Sequence, residues 1–104
     1  MGQKNINGNI TKYSNYDILG LQDIQITIEV SDWTNIAKPP FICQATKSIF
    51  IPDNAIVELV NDNPIDFQKY GFQLYSASSV YGQVVIIATE KPTASVTLTL
   101  YIWR

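Results

Sequence analysis

The chain has 104 residues, enough for one hydrophobic core and too few for two. Its 46% apolar and 12% aromatic content excludes global disorder, because that much side-chain surface offsets the entropy of ordering the backbone. Nine carboxylates against seven cations give a formal charge of −2, and the cations stand singly along the chain, so no basic patch is available for phosphate contacts and a nucleic-acid partner is not expected.

Residues 1–22 form a polar, Asn- and Gly-rich N-terminal arm or linker, with a short hairpin expected over Ile10 to Tyr16. Its isolated Ile6, Ile10, Tyr13, Tyr16 and Ile18 are suited to packing on a partner. Residues 23–104 read as a single β domain. Ile24, Ile26, Ile28 and Val30 alternate with Gln25, Thr27 and Glu29, the pattern of a half-buried strand, and Ser31-Asp32 breaks it. Trp33 to Pro40 reads as a connection, because the Pro39-Pro40 pair cannot donate to a ladder.

A second strand is expected over Phe41 to Thr46, with Lys47-Ser48 separating it from Ile49-Phe50-Ile51. Pro52-Asp53-Asn54 is turn chemistry leading into a third strand, Ala55 to Val60. Asn63 then stands as an N-cap, Pro64 takes the first helical position and Gly71 follows the last, which predicts one short helix over Pro64 to Tyr70. Phe72 to Leu74 and Val84 to Ala88 are further strands joined by the Ser-rich stretch Ser76 to Gly82. Glu90-Lys91-Pro92-Thr93 turns the chain into the last strand.

That strand carries the plainest pattern. Val96, Leu98, Leu100 and Ile102 fall on one side and Thr97, Thr99, Tyr101 and Trp103 on the other. Many strands, one helix and no βαβ rhythm predict an all-β fold, an antiparallel β-sandwich of jelly-roll-like or barrel-like form.

Catalytic chemistry is hard to assemble from these residues. There is no histidine, which removes imidazole bases, Ser-His and Cys-His pairs and most zinc sites. The single Cys43 excludes thiolate clusters and an intrachain disulfide; within Phe41-Ile42-Cys43 it reads as a small buried hydrophobe. No phosphate-cradling glycine motif occurs. The carboxylates lie mostly singly at turns and strand edges, and Asp53-Asn54 and Asp62-Asn63 lack the ordered spacing of a calcium loop. No catalytic residue, metal or cofactor is expected, and the chain reads as a non-enzyme. Neither a signal peptide nor a membrane-spanning run is recognisable.

The aromatic residues are the remaining candidates. Trp33 either closes one end of the core or stands as a sugar-stacking platform, with Tyr75 and Tyr81 as further ligand-stacking rings. Tyr101 and Trp103, on the outward side of the last strand, need a cover, which is either a partner subunit or a second sheet of the same chain. With Tyr13 and Tyr16 of the arm they make the expected oligomer interface.

Asp32-Trp33, Pro39-Pro40-Phe41, Ile49 to Val60, the helix with Tyr70-Gly71, the run Gly82 to Thr93 and the closing Val96 to Leu100 carry a resemblance. Over about residues 29 to 103 the chain resembles a small β domain common in tail-fibre and head-fibre proteins of phages and prophages of Gram-positive and gut bacteria. The resemblance implies a virion structural role as a fibre, tail or capsid-decorating domain, made in the bacterial cytoplasm without a signal peptide. It implies no catalytic residue. A homo-oligomer, most simply a trimer, touching other virion proteins and possible host glycans, is the expectation; the alternative is a monomeric carbohydrate-binding β-sandwich module.

Overall fold

A computed structural model describes residues 21–103. The hairpin at Ile10 to Tyr16 and the side chains of Tyr13 and Tyr16 lie outside the described residues. Seven strands, one 3-10 turn and one α-helix follow one another: β1 (Leu21–Ile28), a 3-10 turn (Val30–Asp32), β2 (Thr34–Lys38), β3 (Phe41–Ser48), β4 (Ile56–Val60), α1 (Pro64–Tyr70), β5 (Gln73–Ser78), β6 (Gln83–Ala88) and β7 (Val96–Trp103). They make a three-stranded sheet in the order β1-β7-β4 and a four-stranded sheet in the order β2-β3-β6-β5, every pair antiparallel. The expected all-β sandwich with one short helix is what forms.

The alternation of β7 explains the packing. Leu98, Leu100 and Ile102 are buried and meet Ile26 and Ile28 of β1 on the inner face of the same sheet; Cys43 and Ala45 of β3 and Val84, Ile86 and Ala88 of β6 supply the facing layer. Only the β2–β3 and β5–β6 connections are hairpins among the described residues, and the others pass from one sheet to the other.

Those crossings make the two ends of the sandwich different. At one end α1 and the 3-10 turn lie beside an aromatic cluster in which Phe72 is the centre: Trp33 stacks on it at 5.9 Å and 14°, Phe67 meets it edge-on at 5.4 Å, and Tyr70 lies 5.5 Å away. The helix boundaries are those its residues predict. Asn63 Oδ1 accepts from Asp66 N, Pro64 opens the helix, and Gly71 at φ 62 ends it with its N–H on Phe67 O. At the opposite end lie the start of β1, the end of β7, the segment between β3 and β4 and the turn between β5 and β6, the last two joined by Ile49 N donating to Gly82 O.

Several expectations need correction. Residues 34–38 are not a connection but an edge strand paired with β3, and Pro39-Pro40, joined by a cis bond, is only its hairpin turn. Lys47-Ser48 do not interrupt β3; they pair with Val84 and Gln83. The Ser-rich stretch is strand as far as Ser78, because β6 offers it a ladder. Val30 leaves β1 for the 3-10 turn, where Glu29 N donates to Asp32 Oδ2 at 2.8 Å and bends the chain. β1 begins at Leu21, ahead of the alternating run from Ile24.

Candidate functional site

Two surfaces stand out, on opposite faces of the sandwich. The first is the outer face of the three-stranded sheet. Tyr101 and Trp103 point outward from β7, as the alternation predicts, with their rings 6.3 Å apart and edge-on. The second sheet lies against the inner side and does not cover them. Trp103 Nε1 donates to Glu58 Oε1 at 3.3 Å on β4, so the indole is held against the sheet while much of its face stays in solvent. The register places Leu21 and Ile56 on either side of Trp103.

This row runs into the open end of the sandwich. Ile56 is 67% exposed, and the neighbouring loops carry Phe50 at 78%, Val80 at 85% and Tyr81 at 76%. The Tyr81 backbone N–H donates to Ser78 Oγ. Large apolar side chains exposed in this number at one end of a small domain mark a candidate contact surface.

The second surface is a groove of about 560 Å³ on the outer face of the four-stranded sheet. Its floor includes Ile87, which points away from the main core and yet is only 6% exposed. Ile36 of β2 adds to the apolar floor, and Gln44 and Gln73, opposite Ile87 on either neighbouring strand, bring amides to it. Lys38 Nζ reaches to 5.6 Å from the centroid of the Tyr75 ring, within cation–π range.

The groove owes its side chains to two β-bulges. In β2 the register slips between Asn35 and Lys38, and in β5 between Leu74 and Ser76, leaving one extra residue on each edge strand. Bulges re-aim side chains and interrupt the exposed edge. Ile36, Ala37 and Tyr75 are the residues so displaced, and all three line the groove.

Trp33 does not serve as a stacking platform. It is 4% exposed and stacked on Phe72, so neither ring face is open to a ligand, and its Nε1–H meets no acceptor among the described residues. Tyr75 and Tyr81 are both exposed but occupy different places, the groove and the open end, and do not form one platform. Sequence reasoning missed Lys38, Gln44, Gln73 and Ile87. Their convergence depends on strand order and bulges, for which the chain carries no local signal.

Among the described residues no group of three His, Cys, Asp or Glu side chains comes together to hold a metal ion. Asp62 instead accepts from Thr99 Oγ1 at 2.6 Å, and Asn63 caps α1, the turn and cap roles their residue types favour. Cys43 is buried against the inner sheet face, and that burial pushes its thiol up, away from the reactive thiolate. No described helix is long and apolar enough to cross a membrane. Comparison with family models, curated proteins and solved structures gives no match.

Proposed function

We propose that this chain is a non-enzymatic assembly domain of a phage or prophage virion, a fibre, tail or capsid-decorating unit that works by surface contact. The observation that carries the reading is the number of large apolar side chains exposed towards one end of the sandwich: Trp103 and Ile56, paired on one sheet, and Phe50, Val80 and Tyr81 in the loops. Burying a large side chain of this kind contributes on the order of 1.5 to 3 kcal/mol, so several of them drive association at modest concentration. A second copy of the same chain is the occupant that covers the surface on every molecule at once. A closed trimer repeats the contact at each interface and leaves no sticky surface for further growth. The resemblance to phage fibre domains favours the same oligomer.

Sedimentation equilibrium tests this reading. An oligomer that weakens on Trp103→Ala, with the strand signal in circular dichroism unchanged, is expected. A monomer near 11.7 kDa at high micromolar concentration rejects it. The weight then passes to a monomeric carbohydrate-binding module, the reading that the groove beside the exposed Tyr75 favours.

A further inference from the structure

We infer that the groove between Lys38 and Tyr75 is a binding site for a glycan bearing carboxylates, such as a uronic-acid oligosaccharide. The inference rests on the groove being a sugar site and not on the oligomeric state, since the groove and the Trp103 surface belong to different sheets.

Size comes first. A volume of about 560 Å³ falls within the range of small-ligand sites and holds one or two sugar rings. Its chemistry suits a ring with an apolar face and a polar rim. Tyr75 offers an exposed aromatic face, and Ile36 and Ile87 continue the apolar floor. The polar groups are side-chain amides, Gln44 and Gln73, which both donate to and accept from hydroxyls. An extended peptide adding to a sheet would instead need an open strand edge, and here both edges are bulged where the groove meets them.

Charge selects among sugars. Among the described residues the only charged side chain lining the groove is Lys38, in a chain whose net charge is −2. No carboxylate of the described residues lines it. The ion pair found among the described residues joins Lys47 to Asp32 elsewhere, so the Lys38 ammonium, resting over the Tyr75 ring, has no acidic partner there. A carboxylate on a sugar packed against the part of the Tyr75 ring that Lys38 leaves open meets that ammonium and adds a charge-assisted hydrogen bond that a neutral sugar cannot make.

The test is a titration of the full chain with tri-galacturonate and, in parallel, with its neutral counterpart galactotriose, followed by backbone amide shifts up to about 10 mM sugar, a range that reads millimolar affinity. The acidic trisaccharide is expected to shift the amides of residues 36–38, 44, 73–75 and 87 and to bind about tenfold more tightly than the neutral one, one charged contact's worth. Lys38→Gln should remove that tenfold advantage, so that the two sugars bind the variant equally, whereas Tyr75→Ala should abolish both. Both positions are exposed, and an amide spectrum of each variant matching the parent elsewhere establishes that it folds. Equal binding of the two sugars, or a Lys38→Gln variant that keeps the preference, overturns the acidic specificity while leaving a sugar site standing. No shift with either sugar, or shifts confined to the Phe50 and Tyr81 end, overturns the site itself and the carbohydrate reading with it.

Discussion

Thr89 occupies the space that a side chain on Gly71 would need. A Cβ built on Gly71 falls 2.5 Å from Thr89 Oγ1 and 2.9 Å from its Cγ2, and Gly71 itself sits at φ 62. Thr89 is not free to withdraw, because its N–H and its hydroxyl both donate to Tyr70 O, at 2.8 and 3.1 Å. Gly71→Ala therefore meets two penalties, the left-handed backbone and the clash, and should cost about 2 to 3 kcal/mol in urea unfolding. Adding Thr89→Ala relieves the clash and leaves the backbone strain, so the double variant should recover part of the loss.

Thr99 and Asp62 make the second local test. Thr99 is nearly buried on the outward side of β7, and its hydroxyl is satisfied by the Asp62 carboxylate. Thr99→Val keeps the shape and removes that bond. It should lower stability by about 1 kcal/mol, less than is usual for a hydrogen bond to a charged acceptor, because the exposed Asp62 regains water. Thr99→Ser, which retains the hydroxyl, should lose less in the same denaturation experiment.

Acid should act through Asp32. The backbone N–H of Glu29 and then the Lys47 ammonium, 3.1 Å away, hold its carboxyl below the ordinary aspartate value of 3.8. The folded form thus releases this proton more readily than the unfolded one, and the associated stability is complete above 3.8 and lost as pH falls through the folded value. Melting temperatures from pH 6 downwards should fall more steeply for the parent than for Asp32→Asn, converging at the acid end. A parallel pair of curves would show that the contact does not contribute.

Cys43 reports on global opening. Its thiol is fully buried on the inner face of β3 and shifted towards the neutral form. Labelling with a disulfide reagent under native conditions should run slower than in denaturant by about a thousandfold or more, following the population of the open state. Fast native labelling would contradict the packing of β3 on the opposite sheet.

The residues that act through local chemistry were legible in the chain. Asn63, Pro64 and Gly71 fixed the ends of α1, and the alternation in β1 and β7 told which side chains are buried. β2 was not legible, since Thr34 to Lys38 bury only part of Ile36 and the strand exists because β3 offers a ladder. The same holds for Ser76 to Ser78. The outward direction of Tyr101 and Trp103 was readable from period two, whereas the groove was not. It takes side chains from all four strands of one sheet, and the bulges that bring Lys38 towards Tyr75 depend on pairings between distant segments.

Leu21 and Trp103 are opposite each other in the β1–β7 ladder. The first residue of β1 and the last of β7 are therefore only about 5 Å apart, the spacing of facing residues in an antiparallel pair. Residues 21–103 can on that geometry be spliced as a cassette into a surface loop of a carrier protein, with a few linking residues on each side and no stretching of either partner. Conversely, joining these ends and reopening the chain at the exposed Val80-Tyr81 turn gives a circular permutant that keeps every strand pairing intact.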